Sequence, residues 1–190
     1  VFKQTILGPL WFFIQPILTT ITFTIIFGNI AKLSTDGAPQ IVFYMSGITL
    51  WGYFSTCLTS VSGVFNANAG IFGKVYFPRL IMPLTIVISN LMKFGVQLLL
   101  FIVFVLYFYF FNKVQPNLWI LFFPFIVLLM ALISMGIGLI LSSMTTKYKD
   151  LSMLIGFGMQ LFMYATPVIY SSSSVPQRFH WITSLNPLSS

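Results

Sequence analysis

The segment that decides the fold is residues 94–111, FGVQLLLFIVFVLYFYFF, which contains 18 residues and no charge. A helix rises about 1.5 Å per residue, so a segment of this length reaches about 27 Å, close to the thickness of the hydrocarbon core of a bilayer. Its apolar residues run continuously and do not alternate with polar ones, as they would in a strand of a membrane barrel. The segment therefore predicts a transmembrane helix.

Similar uncharged intervals occur on both sides of this segment. They predict five membrane-spanning helices, near Leu7–Ala31, Ile41–Phe65, Phe94–Phe111, Leu118–Leu141 and Leu151–Tyr170. Helices are required because an unpaired backbone amide in hydrocarbon costs several kcal/mol. We expect residues 1–190 to form a single transmembrane domain of the all-α class, a polytopic integral membrane helical bundle.

The composition also points to a membrane environment. Of the 190 residues, 58% are hydrophobic and 6% are charged, whereas water-soluble domains carry about 25% charged residues. A net charge of +7 would suit a nucleic-acid partner in a soluble protein, but here the nine cations are spread singly or in pairs between apolar segments. These observations exclude a soluble domain, and we expect no nucleic-acid partner.

The distribution of cations predicts the orientation, because cytoplasmic loops of membrane proteins carry an excess of Lys and Arg. With a cytoplasmic N-terminus, the inner side holds Lys3, Lys74, Arg79, Lys147 and Lys149. The outer side then holds Lys32, Lys113 and Arg178. Lys93 precedes the deciding segment, and its long stem predicts that its charge reaches the inner interface, with a functional buried lysine as the alternative. We expect a multi-pass protein with its N-terminus in the cytoplasm.

Both ends of the sequence suggest that the protein has additional residues before and after it. The sequence starts at Val1 without an initiator Met, and residues 171–190 are a polar segment with no helix after it. We expect residues to be missing at both ends.

Two prolines, Pro9 and Pro16, lie within or beside the first predicted helix. Proline removes a backbone donor, but membrane helices tolerate it when neighbouring groups satisfy the freed carbonyl. A bent or broken start of the helix and an ordinary continuous helix are both open.

Side chains that could perform chemistry are scarce. The one histidine, His180, has no neighbours that could complete a metal site, and the single Cys57 excludes an intrachain disulfide. Asp36 and Asp150 are predicted on opposite sides of the membrane, so they cannot form a carboxylate pair. Residues 70–75, GIFGKV, lack the spacing of a phosphate-binding loop and the Ser or Thr that follows its lysine. We therefore predict no catalytic residue, no metal site and no cofactor or ATP site in this chain.

Small residues recur at every fourth position on two of the predicted helices. They form the stripes Ser134–Gly138–Ser142 and Gly52–Thr56–Ser60. Such stripes let helices approach closely. Packing within the bundle and a contact between subunits are both open for each stripe.

Several short motifs follow one another in a recognisable order. They are Leu7–Trp11, Phe27–Gly28, Phe77–Arg79, Lys147–Asp150, Thr166–Tyr170, Val175–Pro176 and Asn186–Pro187. With these motifs the chain resembles the membrane (permease) subunit of a type-2 ABC exporter. Within that family it is similar to permeases that export lipid-linked polysaccharides such as O-antigen, capsule or teichoic acid.

The resemblance implies a permease of six helices in the bacterial cytoplasmic (inner) membrane, with an amphipathic helix before Val1 and a sixth span after Ser190. It implies a homodimer that pairs with two copies of a separate ATP-binding subunit, which binds the ATP and magnesium. The substrate would be an undecaprenyl-type lipid-linked glycan. Closure of the ATP-binding subunits would drive alternating rearrangement of the dimeric channel.

The resemblance also implies which residues couple the permease to the ATP-binding subunit. The first inner loop, residues 66–79, would form a coupling helix, and the second inner loop carries a basic–aromatic–basic–Asp motif with lysine where arginine is often found. Lysine presents a point charge where arginine would offer a planar fork. The expected coupling residues are Lys74, Tyr76, Phe77, Pro78, Arg79, Lys147, Tyr148, Lys149 and Asp150. An anchor that only orients the protein in the membrane is the alternative for the first loop.

By the same resemblance, the first and fifth spans line the substrate path. The expected path residues are Trp11, Phe12, Phe13, Gln15, Phe157, Gln160 and Tyr164. The outer segment 171–187 resembles the re-entrant helices that cap the exit of such exporters. The expected outer-gate residues are Pro167, Tyr170, Pro176 and Pro187.

Three other functions are weighed against a glycan permease. A type-2 exporter of a drug, peptide or small lipid would have the same membrane architecture. An integral-membrane transferase would require clusters of carboxylates or histidines, which the sequence lacks. A purely structural membrane subunit would be indifferent to changes in the Phe77–Arg79 loop.

Overall fold

The computed structural model describes residues 10–33, 35, 39–72, 78–111 and 122–166, and every regular element among them is helical. The elements are α1 (Trp11–Phe23), a π-helical continuation of it (Thr24–Ile30), α2 (Gln40–Ser62), α3 (Val64–Ala67), α4 (Ala69–Phe72), α5 (Ile81–Phe110), α6 (Phe123–Lys147) and α7 (Leu151–Ala165). Among the described residues, four helices are long and apolar enough to cross a membrane: Trp11–Ile30, α2, α5 and α6. The predicted all-α, polytopic membrane bundle is confirmed.

The chain divides into two compact units. Within the described residues, the first unit comprises residues 10–51, 93–111 and 163–166, and the second comprises residues 52–92 and 122–162. The helices α2, α5 and α7 therefore each contribute to both units.

The first helix continues through its internal proline. Pro16 lies inside α1, so the continuous helix is the alternative that the structure supports, while Pro9 lies outside the described residues. The threonine hydroxyls of this helix donate to the carbonyl oxygen four residues earlier, at 2.8–2.9 Å; the donors are Thr19, Thr20, Thr22 and Thr24. These bonds satisfy polar side chains that would otherwise be costly in lipid.

The π-helical continuation ends at a left-handed residue. Lys32 has φ 49°, and the amide of Leu33 donates to the carbonyl of Phe27 at 3.0 Å. A non-glycine residue in this conformation is strained, because its Cβ approaches the neighbouring carbonyl. The turn closes the helix, and the side-chain amide of Gln40, at the start of α2, donates to the carbonyl of Gly28 at 3.4 Å.

The structure starts α5 earlier than the apolar pattern indicates. This helix begins at Ile81 and runs for 30 residues, about 45 Å, with Pro83 in its first turn, where a missing amide donor breaks no helical bond. Lys93 therefore lies inside a continuous helix, with an exposed side chain. Whether its charge reaches the inner interface stays a prediction.

The ends of α6 and α7 follow local signals. A proline, Pro124, occupies the first turn of α6, where proline is favoured. The helix ends at Lys147 because Tyr148 is extended, with φ −126° and ψ 100°. The chain then turns and α7 begins at Leu151; of the predicted fifth span, residues 167–170 lie outside the described residues.

The second helix carries most of the buried apolar side chains of the described chain. These are Val42, Tyr44, Met45 and Trp51 in the first unit, and Tyr53, Phe54, Cys57, Leu58 and Val61 in the second. By contrast, most large side chains of α5 are exposed, as is normal for a helix that faces lipid. α2 is therefore the helix around which each unit packs.

Candidate functional site

In the second unit, α2 and α6 pack against each other with almost no space between them. A Cβ atom added at Gly138 of α6 would lie 2.8 Å from the Cβ of Val61 and 3.3 Å from the backbone oxygen of Leu58. Carbon atoms in ordinary contact are about 3.5–4.0 Å apart, so only glycine fits at this position. This glycine is the centre of the stripe Ser134–Gly138–Ser142.

All three residues of that stripe are buried, and both serines are fully buried. Packing within the bundle is therefore the alternative that the structure supports for the α6 stripe. On α2, Gly52 is half-buried, whereas Thr56 and Ser60 are exposed. A contact between subunits stays open for the α2 stripe.

The C-terminal ends of the two helices are joined by a hydrogen bond between Thr145 and Ser62. The hydroxyl of Thr145 donates to the carbonyl oxygen of Ser62 at 2.7 Å, and it also lies 3.1 Å from the carbonyl of Ser142 in its own helix. Both Thr145 and Ser62 are buried, at 1% and 3% exposure. Gly138 meets Leu58 and Val61, whereas Thr145, further along α6, meets Ser62 and Asn66, which come later in the chain. α2 and α6 therefore run in the same direction.

A second hydrogen bond joins the start of the first predicted inner loop to the same threonine. α3 follows α2 after Gly63, and the side-chain amide of Asn66 donates to the backbone oxygen of Thr145 at 2.9 Å. The nearby Asn68 follows α3 directly, and its side-chain amide donates to the carbonyl oxygen of Val64 at 2.9 Å. The two loops that follow α2 and α6 therefore start at one place, on one side of the membrane, as the alternation of spans predicts.

The predicted second inner loop is short and open to solvent. Lys147, Tyr148, Lys149 and Asp150 are all exposed, and Tyr148 is 56% exposed. The ammonium of Lys147 lies 5.3 Å from the centre of the Tyr148 ring, within the range of a cation–π contact. The segment therefore presents a ring and two cations directly beyond the joined helix ends.

Part of the predicted first inner loop is described. Residues 64–72 form α3 and α4, and Pro78 and Arg79 are exposed directly before α5. Lys74, Tyr76 and Phe77 lie outside the described residues. The assignment of both loops to the ATP-binding subunit stays a prediction at this point.

The predicted path residues lie on α1 and α7. On α1, Trp11, Phe13 and Gln15 are exposed and Phe12 is half-buried. On α7, the exposed residues Phe157, Gln160 and Tyr164 are spaced by three and four positions, which places them on one face of the helix. The predicted outer-gate residues, Pro167, Tyr170, Pro176 and Pro187, lie outside the described residues.

Sequence reasoning missed the residues that join the two helix ends. The residues involved are ordinary polar residues near predicted helix ends: Ser62, Asn66 and Thr145. Helical periodicity relates only positions a few residues apart, so it does not indicate contacts between positions this distant in the chain. The available signal was the polar run Ser142–Lys147 directly after an apolar span. Among the described residues, no three His, Cys, Asp or Glu side chains come together to hold a metal ion.

Comparison with known proteins places this arrangement in a family. Residues 1–190 match the family model described as ABC-2 type transporter. Two proteins of Klebsiella pneumoniae, each named O-antigen export system permease protein RfbA, are 31% and 30% identical to the chain over 190 residues, which is 100% of this chain and 71% of each relative. A Myxococcus xanthus protein of the same name is 25% identical over 174 residues, 92% of this chain and 65% of the relative. With its long apolar helices and its match over the full sequence, the chain belongs to the ABC-2 type transporter family.

Proposed function

We propose that this chain is the permease subunit of an ABC exporter that moves a lipid-linked polysaccharide of the O-antigen, capsule or teichoic acid type across the bacterial cytoplasmic membrane. The observation that carries the proposal is the similarity to O-antigen export permeases over 100% of the chain, at 31% identity. No feature of the described residues favours a drug, a peptide or a small lipid as the substrate.

The family implies a transport subunit that works with an ABC ATP-binding partner. In our proposal the partner binds the ATP and magnesium, this chain has no ATP site of its own, and two copies of the chain form the channel. The N-terminus lies in the cytoplasm, so that the loops after α2 and α6 face the ATP-binding subunits. The excess of cations on these loops supports this orientation.

The exposed loop residues form the contact with the ATP-binding subunit in this proposal. Arg79, Lys147 and Lys149 supply positive charge, and Tyr148 supplies an exposed ring. Arginine and aromatic residues are enriched where protein surfaces bind each other. The convergence of the two loops at Thr145 supports a single contact surface, to which Lys74, Tyr76, Phe77, Pro78 and Asp150 also belong.

The substrate path runs along the first and fifth spans in this proposal. The exposed rings of Trp11, Phe157 and Tyr164 offer apolar faces on which sugar rings can stack, and Gln15 and Gln160 offer amides for their hydroxyls. The outer segment with Pro167, Tyr170, Pro176 and Pro187 closes the exit.

Charge reversal tests the proposed contact. The gene for the chain is co-expressed with its candidate ATP-binding subunit, and co-purification of that subunit and glycan on the cell surface are measured for R79E and K149E. K32E is the matched control, because Lys32 is an exposed cation that the proposed topology places on the opposite side of the membrane. We expect R79E and K149E to reduce both readouts and K32E to reduce neither.

Two results would contradict the proposal. If no ATP-binding subunit co-purifies with the unaltered chain, the coupling assignment is wrong. If surface glycan is the same with and without the gene, while a smaller amphiphile accumulates inside cells that lack it, the polysaccharide assignment is wrong.

A further inference from the structure

We propose that Thr145 and Asn66 hold the two loops together as one rigid body, so that a force from the ATP-binding subunit on either loop moves α2 and α6 together. The hydrogen bonds that Thr145 makes with Ser62 and with Asn66 are called the lock below. The two residues are positioning residues, and the inference rests on the proposed function of the loops. It assigns a role to a pair of hydrogen bonds that lies next to the proposed contact surface but takes no part in the contact itself.

The first step in the argument is the chemistry of the lock. The Thr145 side chain donates across to α2 at 2.7 Å, and its backbone oxygen accepts from Asn66 of α3 at 2.9 Å. One residue of α6 is therefore bonded to the end of α2 and also to the start of the loop that follows it. Because Thr145 and Ser62 are buried, water cannot readily replace the bond between them.

The second step is that the packing leaves the helices little freedom to slide. One and two turns before Thr145, Ser142 and Gly138 are buried, and the backbone at Gly138 lies against Val61 and Leu58 with no room for a methyl group. Closely packed interiors change between discrete arrangements and do not deform continuously. Contact at Gly138 and hydrogen bonds at Thr145 thus hold the same two helices at two levels.

The third step is the position of the lock relative to the exposed loop. Thr145 lies two residues before Lys147, which begins the exposed segment Lys147–Asp150, and Asn66 lies at the predicted start of the first inner loop. A force on the exposed residues of the second loop therefore reaches the lock within about one helical turn. If the two loops could move separately, a force on one loop would move only the helix that precedes it.

Thr145 has one alternative partner, and this makes the inference testable. Its hydroxyl proton can turn to the carbonyl of Ser142 at 3.1 Å, which would release Ser62 while keeping the hydroxyl bonded. In that case the contact between the helix ends would open during each cycle. A permanent lock and an opening contact predict opposite effects of a covalent link.

The experiment uses the chain with its ATP-binding subunit in membrane vesicles, and it measures glycan exported per ATP hydrolysed. T145V keeps the shape of the side chain but removes the hydroxyl, and T145S keeps the hydroxyl. We expect T145V to lower the export ratio by about two- to tenfold, the factor that corresponds to one hydrogen bond. We expect T145S to keep the ratio of the unaltered chain and N66A, a second test away from the buried core, to lower it.

A covalent link distinguishes the two mechanisms. The pair N66C and T145C is placed in a C57A background and joined with a short bifunctional thiol reagent. We expect the unlinked pair to hydrolyse ATP with poor export, and the linked pair to recover export. Loss of export on linking would show that the contact must open and would overturn the inference, as would normal export by T145V and N66A.

Failure of the inference can be told apart from failure of the proposed function. If the ATP-binding subunit does not bind the unaltered chain, the proposed function has failed. If it binds, and export is insensitive to T145V, N66A and the link, only the lock has failed. Size-exclusion profiles of the solubilised variants identify any that do not fold.

Discussion

Gly138→Ala tests whether α2 and α6 have any spare space between them. The new methyl carbon would lie 2.8 Å from the Cβ of Val61 and equally near its Cγ1. This is about 1 Å short of an ordinary carbon–carbon contact. The obstacle is the branched base of a fully buried side chain and the backbone of Leu58, so no flexible group can swing aside. The helices themselves must move apart.

The magnitude follows from two opposing terms. Inserting a methyl group into a closely packed core costs about 1–3 kcal/mol. Replacing glycine by alanine inside a helix gains about 0.5–1 kcal/mol. Gly136→Ala is the matched control, because Gly136 is on the same helix and has nothing within 4 Å of an added Cβ. The helix term is common to both variants, so we expect G138A to be less stable than G136A by about 1–3 kcal/mol.

The assay is equilibrium unfolding of the purified chain in mixed micelles, followed by tryptophan fluorescence, since Trp51 is buried. A double-mutant cycle with V61G removes the obstacle, and the cost of G138A should then largely disappear. Equal unfolding free energies for G138A and G136A would refute the reasoning. So would a cost of G138A that is unchanged by V61G, because the methyl group would then be meeting something other than Val61.

Three further predictions concern the first unit and the topology. K32G should stabilise the chain by about 1 kcal/mol, because glycine adopts the left-handed conformation at φ 49° without strain; K32A should not, and equal unfolding free energies for the two variants would contradict this. G28A should cost less than about 1 kcal/mol in the same assay although its Cβ would meet Gln40, because the atoms it meets are the far end of a flexible side chain; a larger loss would mean that the Gln40 amide cannot move. In a C57A background, K32C should react with an impermeant thiol reagent from outside intact cells and K149C should not, because the proposed topology places these exposed positions on opposite sides; reversed labelling would overturn the orientation.

The apolar segments were sufficient to predict the fold, because a backbone in lipid must satisfy its hydrogen bonds within the protein. A long uncharged segment must be a helix, and successive spans must alternate in direction. The parallel course of α2 and α6 and the common side of their loops follow from that alternation. The charged cluster Lys147–Asp150 also predicted an inner loop after the fourth span, although the helix ends later than predicted.

Helix boundaries were less predictable, because polar residues at helix ends can bond to their own backbone. α6 runs to Lys147, beyond the predicted end at Leu141, and two hydroxyls near its end bond to backbone oxygens of the same helix. Ser143 donates to Ile140 at 2.7 Å and Thr146 donates to Ser142 at 2.8 Å. Such residues suggest a loop in the sequence, although they extend the helix in the structure.

The start of α5 and the lock at Thr145 were not predictable for different reasons. The cation Lys93 suggested that the helix begins late, but this lysine is exposed, and Pro83 is acceptable in the first turn of the longer helix. The bond from Thr145 to Ser62 joins positions 83 residues apart. It depends on which turn of one helix meets which turn of another, and side-chain packing decides this.

The parallel course of α2 and α6 has an electrostatic consequence. Each helix carries a macrodipole equivalent to about half a negative charge at its C-terminal end, and in an antiparallel pair the two fields would largely cancel. Here the two negative ends lie side by side, and of the two helices only α6 has a basic residue, Lys147, in its last turn. Part of the positive charge of the loops therefore neutralises the helices themselves. In the proposed contact, the ATP-binding subunit meets a weaker positive field than the number of cations implies, so we expect the Tyr148 ring and the shape of the surface to carry a larger share of recognition.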